Sequence, residues 1–405
     1  MADLVTTLIH HPYQPPAGFA APQPGVFKAS TVYFPNVAAM RHFEWKDKSA
    51  YTYGLHGTPT TYTLEERLCT LEGGHQCLLV PSGLAAIATV SLALLNSGDE
   101  VLLPDNVYGP SKALAEAELR HWGISHRYFD PMNPADLSDK LSSKTKLVWL
   151  EAAGSVTLEF PDLAQQVQIC RRAGVRCALD NTWGAGLAFK PFDLRPGLQP
   201  GLAVDISIHA LTKYPSGGGD VLMGSIITVD DKLHMQIKLC HMRLGLGVAA
   251  NDAEAVLRAL PSIALRYHAH DVATRALAQW LLGRQELAQV IHPALPQSPG
   301  HANWQALCGH AGGEAPGQAA GLLSVIFKPG YTQAQVDAFC DALVLFKIGY
   351  SWGGPVSLVV PYDLASMRQV WPSHLAHGIL VRFSIGLESV TDLQADLAQA
   401  LDALQ

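Results

Sequence analysis

Three residues whose types could do chemistry stand just after short apolar runs. Tyr108 lies in the loop after EVLLP, Asp180 ends CALD, and Lys213 follows DISIHALT. Ligands of open α/β sheets bind beyond the carboxyl ends of the strands, so these three share one topological position. A lysine amine can condense with an aldehyde, a carboxylate can keep a pyridine nitrogen protonated, and an aromatic face can stack on the ring. Together they form the parts needed to hold pyridoxal 5′-phosphate. The phosphate needs backbone N–H groups at a helix start, which Ser82, Gly83 and Leu84 offer ahead of an Ala-rich run. Singly, each residue has an ordinary explanation: a solvated lysine, a helix-capping aspartate, a turn tyrosine beside Gly-Pro. Their order and their equivalent positions make coincidence the weaker account.

The elements that must position these residues alternate along the chain. Short apolar runs at 77–80, 100–104, 125–129, 147–150, 177–179 and 206–208 read as strands. Helical segments at 84–95, 112–122 and 162–173 separate them, with Ser82 as a cap and residues 96–99 (NSGD) as a stop. Such alternation predicts an α/β fold with a mostly parallel sheet covered on both faces. A Gly-rich loop, Ser216-Gly217-Gly218-Gly219, follows Lys213. Residues 253–290 read as one or two long helices bent around Pro261. A smaller α/β portion follows, with a strand at 322–328, helices near 332–345 and 390–404, and the segment LVRFSIGLE at 380–388. Residues 1–62, rich in Pro, Gly, Tyr and Thr, read as an extended arm that lies on a neighbouring subunit. The expected organisation is therefore an arm (1–62), a cofactor-binding domain (63–258) and a C-terminal domain (259–405).

Composition narrows the class. The chain has 405 residues, and Lys plus Arg against Asp plus Glu gives 28 − 35 = −7 with no basic block, which argues against a nucleic-acid partner. The seven cysteines (Cys69, Cys77, Cys170, Cys177, Cys240, Cys308 and Cys340) are odd in number, with no C-x-x-C pair. Reduced thiols in a cytoplasmic protein fit this pattern better than a disulfide framework or a structural zinc site, and no metal is expected. The N-terminal segment lacks the basic-then-apolar pattern of a secretory signal, and no apolar run approaches the roughly 20 residues of a membrane helix.

The stretches YTYGLHGTPTTYTLEERL, LEGG, PSGLAAI, GDEVLLPDNVYGP, ALDNTWGAGLAFKP, DISIHALTKYPSGGGDVLMG, HPALP, YSWGG and RFSIGLE together resemble the Cys/Met-metabolism family of pyridoxal-phosphate enzymes, from about residue 28 to 405. DNT-W followed by TKY is the most specific part. The resemblance implies fold type I, aspartate-aminotransferase-like, with a seven-stranded mostly parallel sheet and a smaller C-terminal α/β domain. It implies that Lys213 holds the cofactor and carries the Cα proton, that Asp180 pairs with the pyridine nitrogen, and that Tyr108 stacks on the ring and takes part in catalysis. Gly83, Leu84 and Thr212 would bind phosphate, with Ser155 also at the cofactor. Tyr53 would reach a neighbour's site, as both a cofactor and a catalytic residue. Arg382 would grip the substrate α-carboxylate, aided by Ser351, with Tyr350 and Trp352 shaping the pocket. A homotetramer built as a dimer of dimers is implied as well.

YSWGG and the loop Glu151-Ala152-Ala153-Gly154-Ser155-Val156-Thr157 resemble the β-lyase branch of the family. That implies cleavage of L-cystathionine at the carbon–sulfur bond of Cβ, to homocysteine, pyruvate and ammonia. A γ-lyase or γ-synthase type, a broader cystine or cysteine-conjugate lyase, and a regulatory protein without catalysis are the alternatives. Two positions depart from the family pattern. Leu55 replaces an arginine that binds phosphate, and Ala210 replaces a serine three residues before the cofactor lysine.

Overall fold

The computed structural model describes residues 4–10, 13, 17–42, 46–309, 317–402 and 404. Residues 1–3, 11, 12, 14–16 and 43–45 of the predicted arm, and 310–316, 403 and 405 of the C-terminal portion, lie outside the described residues.

All six predicted strands form: β1 (Gln76–Val80), β2 (Glu100–Pro104), β3 (Ser125–Phe129), β4 (Thr145–Glu151), β5 (Arg176–Asp180) and β6 (Ile206–Ala210). A further strand, β7 (Gly224–Thr228), completes a seven-stranded sheet of order β1-β7-β6-β5-β4-β2-β3. β2 to β6 pair in parallel, whereas β7 runs antiparallel to both β1 and β6. The run GSIIT stayed hidden because it follows a Gly-rich loop, with no helix between it and β6.

Side chains alternate across this sheet and are buried on both faces. Leu78, Val101, Trp149 and Ile206 join one apolar cluster, while Cys77, Leu102, Val148 and Leu179 join another. That is the pattern of a sheet with helices on each side, and it fixes the direction in which the strand ends point.

The helix Pro59–Glu72 begins before Leu64, the residue at which the sequence suggests a start. Thr58 and Thr61 form a reciprocal capping box, and Pro59 occupies the first turn. Gly73 ends the helix at φ = +82°, in the left-handed region that glycine tolerates. Its last residue, Glu72, is fully buried and accepts hydrogen bonds from Ser207 (2.5 Å), Asn181 (3.2 Å) and His209 Nδ1 (2.9 Å). One helix end is thereby tied to the strands that deliver Asp180 and Lys213. The arm is less uniformly extended than its composition suggests, since short helices span Leu4–Ile9 and Val37–Arg41.

The second sheet has the order β10-β11-β12-β9-β8, from β8 (Leu287–Ile291), β9 (Leu322–Phe327), β10 (Lys347–Ile348), β11 (Leu358–Tyr362) and β12 (Leu380–Ser384). Pairing is antiparallel except between β10 and β11. The helical reading of 253–290 is corrected at its end: helices span Ala250–Ala259 and Ile263–Leu281, and residues 287–291 are strand β8. Leu287 and Val290 pack into the core of the second sheet, so tertiary burial overrides a pattern that looked helical. Among the described residues no helix is long and apolar enough to cross a membrane.

Candidate active site

A cavity of about 700 Å³ opens where the strand ends of the large sheet face the second sheet. Ser82, Gly83, Leu84, Tyr108, Ser155, Asp180, Thr212 and Lys213 line it from the large-sheet side. From the other side come Tyr350, Ser351, Trp352, Tyr362, Met367 and Arg382. Every site residue expected from the sequence is brought together here except Tyr53. Tyr53 is 46% exposed; its backbone forms a short bridge with Thr31, its ring lies edge-on to His56, and it does not line the cavity. Leu55 lines a separate small cavity with His56, Lys238 and His241.

Lys213 follows β6, with its Nζ 2.6 Å from Ser351 Oγ and 5.4 Å from the centre of the Trp352 ring. Burial lowers its pKa, the Arg382 charge lowers it further, and Asp180 opposes them only partly, leaving it at about 8. An amine so poised is neutral far more often than a solvated lysine, as a nucleophile and a proton carrier must be.

Ser351 sits at φ = +94°, an unfavourable region for a residue with a Cβ. The next turn allows this approach. Gly353 has φ = +78°, and a Cβ there would come within 3.0 Å of Tyr214 N. Trp352 packs edge-on against the buried Tyr214 ring at 5.5 Å, which fixes its plane.

Asp180 and Glu151 are paired in register at the ends of neighbouring strands. Asp180 accepts from Thr182 N (3.0 Å) and Thr182 Oγ1 (2.5 Å). Burial raises its pKa, while these bonds and the charges of His209 and Lys213 favour the ionised form. Burial and the nearby Asp180 push Glu151 well above the usual carboxylate range. Two adjacent carboxyls resist double ionisation, and Glu151 is the one that keeps a proton. Glu151 Oε2 also accepts from Tyr108 N at 2.9 Å, so it sets the loop that presents the Tyr108 ring. Glu151 was absent from the expected site, although it ends β4 just as Asp180 ends β5. The rule that selects Asp180 would have selected it too. Tyr362 and Met367 had no such signal.

Arg382, on β12, is buried, and its guanidinium lies 5.3 Å from the Tyr362 ring centre. Among the described residues its Nε has no hydrogen-bond partner, while the Tyr362 hydroxyl bonds the guanidinium elsewhere. A buried guanidinium on a cavity-lining residue, with hydrogen-bonding capacity left over, suits a carboxylate.

The helix Gly83–Leu94 starts at the cavity, capped by Ser82, whose Oγ accepts from Ala85 N at 3.0 Å. The N–H groups of Gly83 and Leu84 precede the first intrahelical bonds and are open to an anion. A Cβ on Gly83 would lie 2.7 Å from Ala210 Cβ, so a glycine and a small residue are needed where these segments meet.

A mostly parallel sheet of this order, with a lysine after β6 and a smaller mixed sheet closing the cavity, defines a pyridoxal-phosphate enzyme of fold type I. The chain belongs to the family described as Cys/Met metabolism PLP-dependent enzyme, whose model matches residues 5–402. It is 36% identical over 411 residues to a cystathionine beta-lyase of Bordetella avium, covering 99% of this chain and 98% of that one. It is 35% identical over 377 residues to a cystathionine beta-lyase of Salmonella typhimurium, with 92% and 91% covered. Among solved structures, a cystathionine gamma synthase from Xanthomonas oryzae superposes with a TM-score of 0.81 at 28% identity, covering 96% and 95%.

The residues present fit the family's cofactor. A depressed lysine, an acid on a strand end, an aromatic ring and a free helix N-terminus surround a cavity roomy enough for it.

Proposed function

We propose that this chain is a carbon–sulfur β-lyase that cleaves cysteine thioethers, L-cystathionine among them, to a thiol, pyruvate and ammonia. The observation that carries the reading is the placement of Ser351 and Trp352 against the Lys213 amine, at 2.6 Å and 5.4 Å. It puts a proton carrier beside an aromatic wall, where a thioether sulfur can lie. The names of the two relatives support the same reaction.

Bound pyridoxal phosphate supplies an electron sink for the pair left when the Cα–H bond breaks. Lys213, Asp180, Tyr108, Gly83, Leu84, Thr212 and Ser155 would hold it, with Asp180 keeping a proton on the ring nitrogen. Arg382 grips the substrate α-carboxylate and orients Cα toward Lys213. Lys213 Nζ, freed when the substrate amine takes its place and half neutral already at about pH 8, takes the Cα proton. The Cβ–S bond breaks as a Cα–Cβ double bond forms, and the thiolate leaves with the bonding pair. Ser351, in hydrogen-bond reach of Lys213, steers that proton toward the leaving sulfur. The aminoacrylate released then reacts with water to give pyruvate and ammonia. Tyr53, exposed on this chain, would serve a neighbouring subunit's site in a homotetramer. The seven cysteines are all free, which supports a reducing, cytoplasmic setting.

The keto acid formed from L-cystathionine tests the reading, because β-cleavage yields pyruvate and γ-cleavage yields 2-oxobutyrate. Formation of 2-oxobutyrate alone sinks it.

A further inference from the structure

The geometry points to Glu159 as a positioning residue for the cofactor: through Asn106 it fixes the two loops that present Tyr108 and Ser155. The inference rests on the reading that these two residues hold the cofactor. Glu159 lies in the loop after β4, and its side chain is fully buried. Its Oε2 accepts from Asn106 Nδ2 at 2.9 Å, from Thr157 Oγ1 at 2.6 Å and from Arg368 Nη1 at 2.7 Å, while its Oε1 faces His374 Nε2. Burial alone would raise its pKa, yet His374 and Arg368 hold it at about 2. It is therefore a permanent acceptor at any working pH.

Asn106 precedes Tyr108 by two positions and is buried. Its backbone carbonyl accepts from Ser155 N at 3.1 Å, and the backbone carbonyl of Glu159 accepts from Gly154 N at 2.9 Å. The Tyr108 loop and the Ser155 loop are thus joined through one pair of residues. Between Ser155 and Glu159, Val156 and Leu158 have φ of +67° and +52°, both unfavourable for a residue with a Cβ. Such a backbone persists only where its surroundings over-determine it, and Glu159 closes this loop with both its main chain and its side chain. Glu159, Asn106 and Thr157 are buried within a single chain, so a neighbouring subunit that completes the cavity leaves their bonds in place. Two kinds of bond meet on the carboxylate. Arg368 and His374 balance its charge, which governs stability. Asn106 and Thr157 need only an oxygen acceptor, which governs placement.

The test titrates the cofactor-free full chain with pyridoxal phosphate and records the visible circular dichroism of the bound ring, at a temperature where each variant is folded. Asn106→Ala should raise the dissociation constant by about tenfold and weaken the dichroism. Glu159→Gln should bind within about threefold of wild type, because an amide oxygen still accepts from Asn106 and Thr157, although the charge lost beside Arg368 lowers its unfolding midpoint. If Glu159→Gln does not fold, Asn106→Ala decides alone. Tyr108→Ala is the reference. Weaker binding in Tyr108→Ala with none in Asn106→Ala, or Glu159→Gln binding as poorly as Asn106→Ala, overturns the inference and leaves the reading of Tyr108 standing. Unchanged affinity and dichroism in Tyr108→Ala overturn that reading and this inference with it.

Discussion

The two walls of the cavity are built by different means. On the large-sheet side, Tyr108, Glu151, Asp180 and Lys213 stand at or just beyond the ends of parallel strands, so the topology alone brings them together. On the other side, Arg382 comes from within an antiparallel strand, Ser351 and Trp352 from a bend, and Met367 from the end of a short helix, Leu364–Met367, held by Lys112, which bonds Met367 O, and by Arg368, which pairs with the buried Glu159 and with Asp105. The first wall is preorganised by the sheet and the second by local devices. A wall of the second kind can change its lining without disturbing the sheet, which makes it the natural place for substrate choice.

Substitutions on the two walls should therefore fail differently. The largest loss belongs to the first wall. Lys213→Ala should lower pyruvate release by at least about 10³-fold and remove the visible absorption of bound cofactor, with the fold intact by circular dichroism. Residual turnover near wild type would break the comparison at its first wall.

Arg368→Ala should act on stability before chemistry. Leaving Glu159 buried without its cation should cost about 3–5 kcal/mol in denaturant unfolding. An unchanged midpoint would show that the ionic cluster does not pin the second wall.

Arg382→Lys keeps the charge and loses the fork. A drop in kcat/KM of roughly 10- to 100-fold is expected, equivalent to about 1.5–3 kcal/mol for a charged hydrogen bond. The loss should fall mainly on KM, because the carboxylate is held equally before and during reaction.

The smallest effect is a pH profile. Cofactor loading needs a neutral Lys213, whose pKa is lowered to about 8, so protonation blocks it below that value. The loading rate of the cofactor-free chain should rise with pH and level off just above 8. A rise continuing toward the ordinary lysine range would show that burial and Arg382 do not depress the amine.

The same division explains what the sequence disclosed. Asp180, Tyr108 and Lys213 were legible because strand ends in an open sheet mark the ligand side, and the apolar runs that precede them are short and bounded. Strand β7 was not, since GSIIT follows glycines and reverses direction without a helix. Strand β8 was not, since LAQVI continues a helical stretch and only burial beneath the second sheet decides its state. Arg382 was legible through the family resemblance and its apolar neighbours. Tyr362 and Met367 were not, because β11 and the short helix Leu364–Met367 after it reach the cavity only through long-range packing. Arg368 finds its partners Glu159 and Asp105 more than 200 positions away, a separation that no local pattern encodes. Tyr53 stands apart from the cavity of its own chain, and its role in a neighbour's site is a proposal about assembly.

The most direct measurement is a product analysis with L-cystathionine, whose sulfur joins a β-carbon on one side and a γ-carbon on the other. Keto acid and thiol are quantified together from the cofactor-loaded enzyme. Equal amounts of pyruvate and homocysteine are predicted, with Lys213→Ala giving neither. Formation of 2-oxobutyrate and cysteine would contradict the account.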